Sequence, residues 1–363
     1  MILFILSEFV SSTQKGASGG NISNYLLIDK LRHHKKIGII APNISQDLVS
    51  ELEEKGIFVV TDNLKFRPPF GGFKKRQWFK TTIDLIIHSH PELISELEIV
   101  VTSNGTCDLT AKLRTNKTQL YILCRAFEDF FDHDSHYPLQ EKIRRSLKKI
   151  YTAKKIAMAY QSADRVVTNS EFMKGFIGKH YPKINISILY PPIDIPLKDF
   201  RPIPAKPRVG IINPSARKGE GVFLSLANNH PDLDFVYFSQ NQKKYTSKNI
   251  HYAGWFSDRD KLFTQIDILI APSAWTEPFG RVSVEAVRSG IPVLVSNIGG
   301  LPETVDASFV VTSQAIGCWE NKLTWLTGNS IEVKKAWSRS ISKSENFEQL
   351  PHDKTALSIF TTT

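Results

Sequence analysis

Short apolar runs rich in β-branched residues alternate with longer amphipathic stretches along the whole chain. The runs "ILFIL" (2–6), "KIGIIAP" (36–42), "GIFVVT" (56–61), "DLIIHS" (84–89), "EIVVTS" (98–103), "QLYILCR" (119–125) and "DRVVTN" (164–169) predict buried strands. Helical patterns fall between several of them, including 20–33 and 43–55. Near-continuous apolar strands separated by helices predict a parallel sheet covered on both faces. Six prolines, at 191, 192, 196, 202, 204 and 207, then interrupt the pattern. Proline removes an amide donor and disfavours helix in the residue before it, so 189–207 marks a boundary. The alternation restarts with strands at 208–213, 234–239, 249–254, 267–273 and 291–296 and helices at 219–229, 258–265 and 281–289. Further helical patterns follow after 314 and at 331–345.

The expected fold is therefore α/β, with two doubly wound, Rossmann-like domains. The first is expected over 1–195 and the second over 206–330. The helix and tail at 331–363 are expected to return toward the first. A length of 363 residues agrees, because single cores stop growing near about 250–300 residues. Two doubly wound domains facing each other would form a cleft, and ligands of such sheets bind outside the carboxyl ends of the strands.

Composition excludes several classes. No apolar run approaches the roughly 18–20 residues of a membrane span. The first basic residue, Lys15, follows the opening apolar run, so no secretory n-region is read and the cytosol is expected. Three cysteines, Cys107, Cys124 and Cys318, are odd in number and widely spaced, which argues against a disulfide framework or zinc cage.

Charge is uneven. The chain carries +10 overall, yet 65–80 holds six Lys/Arg and 142–155 holds seven, neither with an acid, leaving −3 for the rest. Segment 65–80 interleaves aromatic residues with cations around Pro68-Pro69 and Gly71-Gly72 and reads as an irregular loop. Segment 142–155 belongs to an amphipathic basic helix, with Leu139, Ile143, Leu147, Ile150 and Tyr151 at helical spacing. Its apolar stripe could rest on anionic lipid headgroups or enter the core beneath a solvated outer face. Aromatic and basic interleaving also suits single-stranded nucleic acid, the rival class of partner.

The most informative stretch is 267–303, "DILIAPSAWTEPFGRVSVEAVRSGIPVLVSNIGGLPE". A strand ends near Ser273, a loop carries Glu277-Pro278-Phe279-Gly280, and a helix begins near Arg281. Gly280 allows close approach of backbone to a ligand, and the first amides of the helix form an anion site suited to a diphosphate. Glu277 and Glu285 can both face that end, and a carboxylate accepts from the vicinal hydroxyls of a ribose or hexose. Glu285 could instead pair with Arg281 or Arg288 on the helix surface, and Glu277 could simply complement the helix dipole.

On these residues the chain resembles family 4 of the retaining glycosyltransferases, whose GT-B fold has two facing Rossmann-like domains. "EPFGRVSVEA" is similar to the family's E-x7-E signature and "SGIPVLVSNIGGLPE" to its continuation; "NPSARKGEGVFLSLA" (213–227) resembles its phosphate-binding strand–loop–helix. "ADRVVTNSEFMKGFI" with "LYPPID" resembles the close of its first domain. The resemblance implies transfer of a hexose-type sugar from a nucleoside diphosphate donor to a saccharide or lipid-linked acceptor, with retention. It implies that Glu285 holds ribose hydroxyls, that Glu277 with the amides around Phe279 and Gly280 holds the sugar, and that Lys218 neutralises the diphosphate. Arg217 is a second cation for that task; where the family has its more typical Arg, this chain has Asn213 and Pro214. Gly254 and Trp255 are candidates for the base-binding loop, and Arg281 for the donor site. In the first domain Gly19 and Gly20 open a helix after strand one and could admit donor phosphates or the acceptor. Where the family has a His after the fourth or fifth strand, "ILCRAFEDFF" offers Arg125, Glu128 and Asp129 instead; Arg125, Asp129 and His133 are the acceptor-side candidates.

The string "FDHDSH" (131–136) imitates a metal-binding D-x-D but follows a charged segment rather than a buried strand, so no metal and no cofactor are expected. A nucleic-acid-binding protein, or an epimerase or phosphorylase on the same fold, are the rival functions. The basic patches predict peripheral contact with an anionic membrane, and nucleic acid is the less favoured partner because it leaves the acidic pair unexplained.

Overall fold

The structure is a computed structural model describing residues 1–11, 19–42, 44–60, 72–103, 106–110, 113–127, 130, 139–193, 195–256, 258–328, 330–346 and 352–361. Asp129, His133, Glu128, the "FDHDSH" string and residues 65–71 lie outside the described residues.

Two all-parallel sheets organise the chain. The first contains β1 (Ile2–Ile5), β2 (Ile37–Ile40), β3 (Phe58–Val60), β4 (Ile99–Ser103), β5 (Gln119–Cys124), β6 (Arg165–Thr168) and β7 (Ile186–Ile188), in the order β3-β2-β1-β4-β5-β6-β7. The second contains β8 (Arg208–Ile212), β9 (Asp234–Phe238), β10 (Ile250–Gly254), β11 (Ile268–Ala271), β12 (Val293–Ser296) and β13 (Val310–Val311), in the order β10-β9-β8-β11-β12-β13. Each order reverses once, between β1 and β4 in the first and between β8 and β11 in the second. These are the switch points where loops diverge to leave room for a ligand.

Helices α1 (Gly19–Leu31), α2 (Gln46–Glu54), α3 (Gly72–Ser89), α4 (Pro91–Ser95), α5 (Leu139–Ser162) and α6 (Glu171–His180) belong to the first half of the chain. Helices α7 (Glu220–Asn229), α8 (Arg259–Phe263), α9 (Arg281–Arg288), α10 (Ile316–Gly328), α11 (Ser330–Asn346) and α12 (His352–Phe360) complete it. One compact unit gathers β1–β7, α1–α5, α6 from Met173 onward and α12; the other gathers Ser170–Phe172 with β8–β13 and α7–α11.

In the first unit the inner strands are buried on both faces: Ile2, Phe4, Ile39, Val101, Tyr121 and Val167 share one core cluster with Leu27, Leu31, Leu48 and Leu52 of α1 and α2, and the alternate residues Leu3, Ile5, Ile40, Val100 and Leu120 share another with Trp78, Phe79 and Ile83 of α3. Helix α12 joins that cluster through Ala356, Ile359 and Phe360, the Phe360 ring lying 6.3 Å from Phe4 and 5.6 Å from Tyr121. Helix α11 does not travel with it. Its Val333, Ala336, Trp337 and Ile341 enter the core of the second unit, so the segment beginning at 331 divides between the two units.

The run at 84–89, expected as a strand, is the last part of α3. Trp78, Phe79, Thr82, Ile83 and Ile86 are buried while Lys80 and Leu85 are exposed, a 3.6-residue rather than a 2-residue rhythm. Its start at Gly72 also makes helix of part of the 65–80 segment expected as loop.

Candidate active site

All three residues that carry the sequence argument, Lys218, Glu277 and Glu285, lie in the second unit, on the loops and helix that follow β8 and β11. After β8 the chain turns at Asn213 (φ 51°) and forms a 3-10 turn, Ala216–Lys218, capped by Ser215, whose Oγ accepts from the Lys218 amide at 3.3 Å. Gly219 follows at φ 78°, and a Cβ there would sit 1.8 Å from the Pro272 carbonyl oxygen. The two loops therefore pass backbone against backbone, which only glycine permits. The Arg217 carbonyl then accepts from the amides of Ala274 and Trp275 at 3.0 and 3.1 Å and from Ser273 Oγ at 3.2 Å. This contact fixes one loop to the other. The Arg217 guanidinium lies over the Trp275 ring, 3.8 Å from its centre.

That arrangement delivers Lys218 to Glu277. The Lys218 ammonium forms a hydrogen-bonded ion pair with Glu277 Oε1, which also accepts from Ser273 Oγ at 2.9 Å. The Glu277 side chain is only 14% exposed, against 44% for Lys218, so the acid is held inside and the cation reaches outward. The backbone of 277–278 is clamped by Gly299 and Gly300: the Gly300 amide donates to the Glu277 carbonyl at 2.8 Å, and a Cβ on Gly299 would meet that oxygen at 2.1 Å. The glycine pair of "NIGGLPE" thus supports the loop that carries Glu277.

Gly280, at φ 122°, is the N-cap of α9, and a Cβ there would press to 2.6 Å from Leu301. Phe279 is buried beside it, so its side chain serves packing. One turn into α9, the Glu285 side chain is 6% exposed and sits between two guanidiniums, 3.3 Å from Arg259 Nε and 3.5 Å from Arg281 Nε. Burial lowers the Arg281 pKa from the ordinary guanidinium value, with Glu285 opposing, and Arg281 Nη1 donates to the Pro192 carbonyl at 2.7 Å. Arg288 Nε donates elsewhere, to the Ile195 carbonyl at 2.7 Å. Despite the close charges, Glu285 Oε2 and Arg259 Nη1 are both buried without a hydrogen-bond partner. Glu285 Oε2 is the oxygen 3.3 Å from Arg259 Nε, so its charge is paired although it accepts no hydrogen bond of good geometry, and a buried polar atom in that state is costly unless something binds it.

Arg259 was not anticipated from the sequence. It opens α8 behind the N-cap Asp258, and its guanidinium lies 5.2 Å from the centre of the Trp255 ring. The 254–255 loop, read as a base-binding candidate, is thereby joined to Glu285 through Arg259. Gly254 has φ 85° and its carbonyl accepts from the Ser239 amide at 3.1 Å. Trp275 was likewise missed; its signal is an aromatic residue two positions ahead of the acid.

In the first unit Gly19 and Gly20 open α1, exposed, with Gly19 O accepting from Ser23 Oγ at 2.7 Å. Arg125, just past β5, donates through Nη1 to Asn24 Oδ1 at 2.5 Å, so it is brought to the same helix. Asn21 donates to Glu8 at 3.1 Å. Among the described residues no group of three His, Cys, Asp or Glu side chains could hold a metal ion, and no helix is long and apolar enough to cross a membrane.

Two parallel-sheet, Rossmann-like domains of seven and six strands define the α/β GT-B fold. Solved structures carry the same fold over the full length. Sucrose-phosphate synthase from Thermosynechococcus elongatus superposes with a TM-score of 0.73 at 13% identity, covering 99% of this chain and 98% of that one. HepE of Anabaena, solved with UDP and glucose, superposes with a TM-score of 0.66 at 18% identity, covering 100% and 99%. Residues 232–341 match the family model "Glycosyl transferases group 1", which with the fold supports a glycosyltransferase. Spore coat protein SA of Bacillus subtilis is 29% identical over 111 residues, 24% of this chain and 29% of that protein. The aligned stretch thus spans less than a third of that relative's length.

Proposed function

We propose that the protein transfers a hexose-type sugar from a nucleoside diphosphate donor to a saccharide or lipid-linked saccharide, with retention of anomeric configuration, in the synthesis of a surface polysaccharide or glycoconjugate. The observation that carries the donor reading is the buried Glu285, gripped by two guanidiniums yet with one oxygen lacking a hydrogen-bond partner. That oxygen, ion-paired to Arg259 Nε at 3.3 Å, suits a ribose hydroxyl, which would donate to it. Arg259 is in this reading a positioning residue for Glu285 and a platform against Trp255.

Cleavage of the sugar–phosphate bond leaves negative charge on the diphosphate. Lys218, half exposed at the end of its loop, and the amides opening α9 are suited to stabilise that charge, with Arg217 as a second cation, and the proposal requires no divalent metal. In the resting site Glu277 holds Lys218 in place; with donor bound, the ammonium turns to phosphate oxygens and Glu277 accepts from the sugar hydroxyls. Arg125 beside α1 is proposed for the acceptor side, with Gly19 and Gly20. The relative in a spore coat and the fold neighbour solved with UDP and glucose support the general reading.

A thermal-shift panel of UDP, GDP, ADP and their sugars tests it. A donor at 100 times its dissociation constant adds about 2.7 kcal/mol of apparent stability, so one nucleotide family should raise the melting temperature clearly. Stabilisation by oligonucleotides and by none of the nucleotides would contradict the proposal and favour the polyanion-binding alternative.

A further inference from the structure

Helix α5 has two apolar faces, and the fold uses one. Thr152, Ile156, Ala159 and Tyr160 are buried in the first unit. On the other side Leu139, Ile143, Leu147 and Ile150, spaced by four, four and three residues, are 73%, 54%, 54% and 76% exposed. At 3.6 residues per turn these four fall within an arc of about 80°, centred roughly 150° round the helix from the buried face, and span about 17 Å of its length. With Met158, five of the nine large exposed apolar side chains among the described residues lie on this helix. The choice left open by the sequence is thereby narrowed: Leu139, Ile143, Leu147 and Ile150 do not enter the core.

Charge says what could cover it. Residues 142–155 hold seven Lys/Arg and no acid. The helical period sets Lys142 and Lys149 along one flank of the stripe and Lys155 along the other, with Lys154 at its end; Lys149, Lys154 and Lys155 are exposed. An aliphatic stripe bordered on both sides by long cationic side chains matches a bilayer boundary, where apolar groups enter the acyl region and lysines reach back to headgroup phosphates.

We propose that α5 is a membrane-surface helix, lying in the plane of an anionic bilayer with Leu139, Ile143, Leu147 and Ile150 in the headgroup–acyl boundary. The inference names a surface partner for the protein and does not depend on the transfer reading, because vesicle binding is measured without donor or acceptor.

Flotation of the full chain with vesicles of phosphatidylcholine alone, or mixed with phosphatidylglycerol, tests this directly. The chain should partition at least about tenfold more strongly onto the anionic vesicles, and less so at high salt. The triple variant Ile143→Ser/Leu147→Ser/Ile150→Ser should lose about tenfold or more of that binding with an unchanged melting temperature, since all three side chains are more than half exposed. A second variant, Lys142→Gln/Lys149→Gln/Lys154→Gln/Lys155→Gln, should lose the preference for anionic lipid. Equal binding to both vesicle types, no binding to either, or unaltered binding by both variants would overturn the proposal. So would tighter binding of a single-stranded oligonucleotide than of the anionic vesicles, which would assign the helix to nucleic acid.

Discussion

Glu285 shows how much of a site one residue can conceal. Its position in the sequence raises the expectation of a ligand-facing acid, but its setting is visible only once α8 brings Arg259 to 3.3 Å on one side while Arg281 stands at 3.5 Å on the other. Arg281 was legible as an i,i+4 neighbour. Arg259 was not, because it sits on a separate helix with no periodicity linking it to Glu285. The consequence is measurable. Glu285→Ala would leave two guanidiniums facing each other with their shared counter-charge removed, and breaking a buried pair typically costs about 3–5 kcal/mol. Chemical denaturation should show that loss for Glu285→Ala and a smaller one for Glu285→Gln, which keeps the shape and a hydrogen-bonding oxygen. An unchanged midpoint for Glu285→Ala would mean the charges are not coupled. Effects on donor binding are accordingly best read on the Gln variant.

Among the elements, the strands were read well because a buried parallel strand announces itself as a short unbroken apolar run. The same signal misled at 84–89, where "LII" belongs to an amphipathic helix whose buried partners, Trp78, Phe79 and Ile83, lie further upstream than the run itself. Helix α11 shows the opposite problem: its amphipathic pattern is plain, but which core it serves depends on packing that no pattern encodes. Part of its anchorage is electrostatic. Arg339 on α11 donates to both Asp306 oxygens, at 2.7 and 3.1 Å. That hydrogen-bonded pairing holds the Asp306 carboxyl well below its ordinary value of 3.8. A depressed carboxylate pKa stabilises the fold at pH values above the ordinary one, and that contribution disappears as pH falls toward the native value. The stability difference between the native chain and Arg339→Ala, followed by denaturation across a pH series, should therefore be constant near neutrality and shrink below about pH 4. A difference independent of pH would show that the arginine acts only by packing.

For the whole molecule, the two restarts of strand–helix alternation on either side of a proline-rich segment were enough to expect two doubly wound sheets, because parallel strands need crossover helices and those impose the rhythm. What the pattern could not supply was the path of the last helix: α12 returns to the β1–β5 cluster through Ile359 and Phe360, an apolar pair whose partner depends on the fold around it. The central claim is that the loop cation and the two acids of the second unit act on an activated sugar. It is tested most directly by turnover of the sugar nucleotide that stabilises the protein best, followed as release of the nucleoside diphosphate by the native chain and by Lys218→Ala. The account predicts release by the native chain, a fall of roughly 10²–10³-fold for the variant, and a melting temperature only modestly lowered, because Lys218 is 44% exposed and the 14%-exposed Glu277 keeps its Ser273 hydrogen bond. Equal rates from a folded Lys218→Ala protein would contradict it.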